Sequence, residues 1–264
     1  DESVALIEGD EDYNYVHAIA YKENGTPISE GVQYYDAFGQ TLQSQAKDFS
    51  NKKILASQTI FDEFGRPIIS TLSAPINSTF FGYKDNFIVP KNGSGSYNYT
   101  HFPDAVDANC LLGKYYSNSN TAEPYVPASE YPYASVEYSK LFPGMVKKSA
   151  QAGEALRMGQ GKETSQYVIP VNYGEINRIS PDFPADWQGT KSIAIDSRGV
   201  ANIVYYDLNG IVVLTCISNP NQTANTTVNS VFLPDQRGRF FIHVPRNCQQ
   251  GVQLPFPPNI YYKV

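Results

Sequence analysis

No run of about 18 apolar residues occurs in this sequence, so no helical membrane span is expected. No signal peptide is visible either. The chain opens on acidic residues, Asp1-Glu2 and Glu8-Gly9-Asp10-Glu11-Asp12, which read as a solvated terminus. Charge is sparse, at 17% of residues, against roughly a quarter in ordinary globular domains. The densest basic run is only Met145-Val146-Lys147-Lys148, and the net charge is −6. A nucleic-acid partner, which needs a clustered basic face, is therefore excluded. Helical periodicity is nearly absent. Its best candidate, Glu154 to Met158, is confined to about one turn by Gly153 and Gly159. Cysteine is scarce, with Cys110, Cys216 and Cys248 widely spaced. That excludes a disulfide framework and leaves a single Cys216–Cys248 bridge and three buried thiols equally open.

Catalytic signatures are missing too. There is no Gly-x-Ser-x-Gly, His-Glu-x-x-His or phosphate loop. Gly159-Gln160-Gly161-Lys162-Glu163-Thr164 lacks the glycine spacing and the Lys-Ser/Thr step, and reads as a polar turn. His17, His101 and His243 are dispersed without metal-ligand spacing; His17 and His243 sit at strand positions and read as structural. Acidic residues are many, but no pair stands out for glycosidase chemistry. No catalytic residue, metal or cofactor is expected. Sequons at Asn24, Asn77, Asn92, Asn98, Asn221 and Asn225 fit chance in a chain so rich in Asn, Ser and Thr.

What is present is aromatic and alternating. Twenty Tyr and 14 Phe stand against one Trp, a composition suited to half-buried pleated surfaces. Strand-like runs are Tyr15 to Tyr21, Ile54 to Phe61, Tyr167 to Val171, Ser192 to Ile195, Ala201 to Tyr206, Val212 to Cys216 and Arg239 to Val244. Separated by Gly- and Asn-centred turns, they predict an all-β protein of antiparallel sheets. Residues 73–138 differ, being rich in Pro, Asn, Ser and Tyr, and read as a long irregular insertion more exposed than its flanks. The expected organisation is an N-terminal hairpin unit at 1–72, the insertion at 73–138 and a C-terminal β unit at 139–264. Ile260 to Val264 has strong β character and is expected to form a strand continued beyond this chain.

The strongest signal is an internal repeat, aromatic-Asp-x-x-Gly-x-x-aliphatic. Its three good copies are Tyr35-Asp36-Ala37-Phe38-Gly39 to Leu42, Phe61-Asp62-Glu63-Phe64-Gly65-Arg66 to Ile68, and Tyr206-Asp207-Leu208-Asn209-Gly210 to Val213. Looser copies centre on Gly25, Gly199 and Gly238. Each is expected to be a tight hairpin. The aromatic ends a strand on the buried face, the Asp carboxylate accepts turn N–H groups, and Gly takes the left-handed conformation. The aliphatic residue then faces inward on the return strand. One Asp per unit is too few oxygens for calcium, which takes six to eight.

These repeats resemble the YD repeats of RHS-type proteins, and specifically the N-terminal region of large RHS-repeat proteins from Bacteroidetes. Further matching segments are Tyr131-Pro132-Tyr133, Phe142-Pro143-Gly144-Met145-Val146-Lys147, Ala152-Gly153 and Lys191 to Cys216. Gln40 and Ile211 stand where Arg usually follows the glycine. The resemblance implies a non-enzymatic structural segment of a large secreted or cell-surface protein. Its partners would be the rest of its own parent chain, including further YD repeats and a C-terminal toxin domain of the polymorphic kind, and a type IX secretion machinery. The alternative is a surface β-sandwich that binds glycan or host protein through Tyr-rich loops, Trp187 and Asn.

Overall fold

A computed structural model describes residues 13–93 and 95–218, with short strands at 231–234, 240–243 and 262–263. The chain divides into two compact units, Asp1–Glu137 with Ser149–Gln160, and Tyr138–Lys148 with Gly161–Val264. The described chain is nearly all β, and its strand pairs are antiparallel.

In the first unit, β1 (Asn14–Tyr21), β2 (Pro27–Tyr35), β3 (Thr41–Asp48), β4 (Lys53–Phe61) and β5 (Pro67–Thr71) pair in sequence order as a meander. The short β6 (Ala74–Ile76) pairs with the first half of β4 (Ile54↔Ile76), and β5 with the second half (Ile60↔Ile69). Between them Gln58 N donates to Thr71 Oγ1 at 2.8 Å, so the donor between the two ladders is satisfied. β7 (Tyr133–Tyr138) pairs with β5 through Ile69↔Ser135.

Period-two alternation is clean in β4, where Ile54, Ala56, Gln58 and Ile60 are buried and the residues between them half-buried. Register puts Glu30, Val32 and Tyr34 of β2 and Gln43 and Gln45 of β3 on the same face. That face is covered by residues 80–112, which supply fully buried Phe81, Phe87, Ile88 and Leu112. The stretch 73–138 is irregular, as expected. It is not the exposed excursion expected, because its apolar side chains complete the core of the N-terminal strands and lie in the same unit. Some of its backbone polar groups are met locally. Tyr97 N donates to Ile88 O at 3.0 Å, and the Tyr97 hydroxyl donates to the carbonyls of His101 and Asp104.

The strand β8 (Val146–Ala150) runs from the second unit's residues into the first's. In the second unit β9 (Thr164–Pro170), β10 (Thr190–Ile195), β11 (Ala201–Tyr206) and β12 (Val212–Ser218) pair in order. β13 (Val231–Pro234) pairs with β12 and with β14 (Phe240–His243), and β15 (Tyr262–Lys263) also pairs with β12. The last strand is thus paired within the chain. Ala201, Ile203, Tyr205, Leu214 and Cys216 form the buried face.

Helix is scarce: a 3-10 turn at Tyr99–His101, α1 (Leu111–Tyr115) and α2 (Glu175–Ile179). The expected turn of helix at 154–158 is a simple turn, with Leu156 and Arg157 N–H both donating to Gly153 O. The helix α2 lays Ile176 and Ile179 on the second core, joined by half-buried Phe183 and Trp187. Those two rings meet edge to face at 5.9 Å. Trp187 is therefore a packing residue here and not part of an exposed aromatic platform.

Candidate interaction surface at the hairpin turns

The repeat glycines close five hairpins of one geometry. At 36–40, Gly39 N donates to Asp36 O (3.1 Å) and Asp36 N to Gln40 O (3.0 Å). The Asp36 Oδ1 accepts from Phe38 N at 2.9 Å and Gln40 N at 2.8 Å. The same four bonds recur at 62–66, 196–200 and 207–211. Gly39, Gly65, Gly199 and Gly210 have φ of 78°, 73°, 82° and 79°. Another residue would pay roughly 1–2 kcal/mol for that left-handed backbone. This is a tight turn followed by a glycine bulge, and three of the ladders shift register beside it, at Tyr34/Tyr35, Ile60/Phe61 and Tyr205/Tyr206. The loose copy at Gly238 lies outside the described residues.

The fifth hairpin, at 22–26, keeps the backbone bonds without the Asp. Lys22 stands in its place, and Asn24 Oδ1 accepts from Thr26 N at 3.1 Å instead. Replacing Lys22 by Asp is expected to stabilise the first unit by about 0.5–1.5 kcal/mol, by giving the turn's second N–H an acceptor. A denaturant midpoint that falls or stays put would contradict this account of the Asp.

One expectation about the repeat is corrected. Tyr35, Phe61 and Tyr206 are half-buried, and the core face is occupied one residue earlier by Tyr34, Ile60 and Tyr205. On the return strands Ile68 is buried, whereas Leu42 and Val213 are half-buried. The bulge inserts a residue beside each turn, so alternation has to be counted along the ladder and not outward from the Asp.

The outer oxygen of each repeat carboxylate is where the copies differ. Asp62 Oδ2 accepts from Arg66 Nε at 2.8 Å and pairs with Nη2 at 2.6 Å. The same guanidinium lies 4.9 Å from the centroid of Phe64. Burial pushes the Asp62 carboxyl up, but the Arg66 guanidinium and the turn N–H groups outweigh it and hold the group below its ordinary range. Asp196 Oδ2 is held likewise by Arg198, at 3.0 and 2.7 Å. Asp36 has no such cation among the described residues. Gln40 replaces the arginine and turns away, its Nε2 donating to Gly65 O at 2.9 Å and so tying one hairpin tip to the next.

These two tips border an open groove of about 640 Å³, lined on the other side by Tyr83, Ser96, Tyr97 and Asn98. Phe38 is 90% exposed and Phe64 72%. Among the described residues the charged side chains lining the groove are Asp36, Asp62 and Glu63, of which Asp62 is paired with Arg66. A second cleft of about 320 Å³ holds Glu123 as its lone carboxylate. The Tyr115 hydroxyl (2.7 Å) and Lys53 ammonium (2.9 Å) hold Glu123 below the usual carboxylate range.

Two polar clusters lie inside the units. Buried Glu30 accepts from His17 and Lys47, each at 3.2 Å. Buried Glu175 takes the Lys191 ammonium and the Tyr205 hydroxyl. Beside the latter, burial first and Glu175 second push the Cys216 thiol up to about 12. Cys216 is a free thiol; Cys248, its candidate partner, lies outside the described residues. Alkylation at about pH 8 should therefore leave Cys216 unmodified in the folded protein and label it once denatured. Rapid labelling of native protein at this residue would contradict its burial. His101 closes a capping box, its Nδ1 accepting from Asn98 N at 3.1 Å.

Fold and turns together define a class: an antiparallel β protein built from Asp-closed, glycine-bulged hairpins, with one face of each unit's sheet covered by irregular chain. A family model described as "Domain of unknown function (DUF6443)" matches residues 12–169, and the chain belongs to that family. A search of curated proteins finds no match.

Proposed function

We propose that this chain is a non-enzymatic structural and interaction segment of a large secreted or cell-surface RHS/YD-repeat protein. The recurrence of one turn geometry at 22–26, 36–40, 62–66, 196–200 and 207–211 carries this reading. Repeated hairpins of one geometry that pair strand to strand are units of an extended sheet. Under this reading the chain adjoins further YD hairpins and, in a polymorphic toxin exported by type IX secretion, lies ahead of a variable C-terminal domain. The carboxylates at the turns support it as well, since their inner oxygens are occupied by turn N–H groups and hold structure together.

The test has two arms. Protease shaving of intact source cells should release peptides of this chain, and its parent reading frame should contain additional aromatic-Asp-x-x-Gly hairpins. Recovery only from lysed cells, or a parent frame without further repeats, would sink the proposal. Hydrolase assays on glycans, peptides and nucleic acids should be blank. A second reading, a surface module binding glycan or host protein, draws support from the exposure of Phe38 and Phe64.

A further inference from the structure

The hairpin at 62–66 contains its own arginine and shows how that side chain sits. The guanidinium meets the outer carboxylate oxygen of Asp62 and stacks on the exposed ring of Phe64. The hairpin at 36–40 reproduces every other part. Asp36 takes the place of Asp62, Phe38 that of Phe64, and the turn bonds agree to within 0.1 Å (3.1 against 3.0, 3.0 against 2.9, 2.9 against 2.9 and 2.8 against 2.9). The cation alone is missing. Asp36 Oδ2 has no hydrogen-bond partner among the described residues, Phe38 is 90% exposed, and Gln40 is committed to Gly65 O.

We propose that Asp36 and Phe38 form an open arginine site, which takes the guanidinium of an arginine from a partner polypeptide lying along the groove. Charge complementarity selects the occupant. Among the described residues that line the groove the charged ones are Asp36, Asp62 and Glu63; Arg66 already pairs with Asp62, which leaves the outer oxygen of Asp36 open to a second guanidinium. Arginine is favoured over lysine because its planar fork can bond the carboxylate and stack on the ring at once, whereas an ammonium is a compact, strongly hydrated point charge. The ring adds a cation–π contact. The site does not depend on the parent protein's export or length.

The experiment is an amide chemical-shift titration of the full chain with blocked pentapeptides of glycine and serine around one central arginine, lysine or citrulline. The arginine peptide should give saturable shifts confined to the amides of residues 36–40 and their groove neighbours. Lysine should bind about threefold or more weakly and neutral citrulline should give no saturable shift. Phe38→Ala and Asp36→Asn should each weaken binding about threefold to tenfold, the Asn retaining an acceptor for the turn. Gln40→Arg is the decisive variant. It should fill the site from within, as Arg66 does at its own turn, and abolish the shifts while the remaining spectrum is preserved. Equal binding of citrulline, unsaturable shifts spread over the acidic surface, or a titration unchanged by Gln40→Arg would each overturn the proposal.

Discussion

Replacing Lys191 by Met should destabilise the second unit by about 3–5 kcal/mol, the largest single-residue effect expected in that unit. Lys191 and Glu175 are 3% and 2% exposed. The carboxylate accepts from the Lys191 ammonium, the Tyr205 hydroxyl and Asn172 N. Removing the cation leaves a buried carboxylate with neutral donors only, and burying an uncompensated charge costs far more than the pair itself contributes. The double variant Lys191→Met/Glu175→Gln should recover most of the loss, because it removes both charges and keeps an acceptor for Tyr205. A single variant costing under about 1 kcal/mol, or a double variant no better than the single, would show that the cluster is not a desolvated ion pair. Its structural task is clear from position. It ties α2 and the 171–188 segment to β10 and β11 beneath them.

Gln45→Leu should be nearly as damaging in the first unit. Gln45 forms a two-point bond to the covering chain, Nε2 donating to Gly82 O at 2.6 Å and Oε1 accepting from Gly82 N at 3.2 Å. Gln43 repeats the device with Lys84, at 3.2 and 3.1 Å. The two amides are linked at 2.7 Å, and Gln43 Nε2 reaches Gln58 at 3.5 Å. They serve as side-chain rungs for backbone that has no neighbouring strand. Leucine matches glutamine in bulk but strands both Gly82 groups, at about 1–3 kcal/mol for each buried group left without a partner. Amide exchange at Gly82 and Lys84 should accelerate while the β2–β3–β4 ladders stay protected. Uniform loss of protection across those ladders, or none at Gly82, would contradict the role of the clamp.

Features carried by short stretches of chain were legible without the structure. Ala201–Tyr206, rich in β-favouring Ile, Val and Tyr, is β11 with the expected ends. The Asp-x-x-Gly turns are equally local, since the Asp bonds N–H groups two and four residues away and glycine meets a purely backbone requirement. The two five-residue helices escaped notice because they are too short to show a helical period. In β3 the pattern misleads outright. Gln43 and Gln45 face the core, while Leu42 is half-buried and Ala46 is exposed, so polarity alone assigns the wrong face.

The sequence by itself determined the β class, the positions of about half of the strands and the chemistry of the hairpin tips, because each depends on interactions within about ten residues. Only the tertiary structure decided which face of each strand is buried, that residues 80–112 complete a core, and that Glu175 meets Lys191. It also decided that Asp36 and Phe38 stand open while Asp62 and Phe64 are filled. Those outcomes depend on groups far apart in the chain, or on which side chain reaches a neighbouring turn first. Gln40, bonded to Gly65 O across 25 residues, is the case where a distant contact leaves a local site unoccupied.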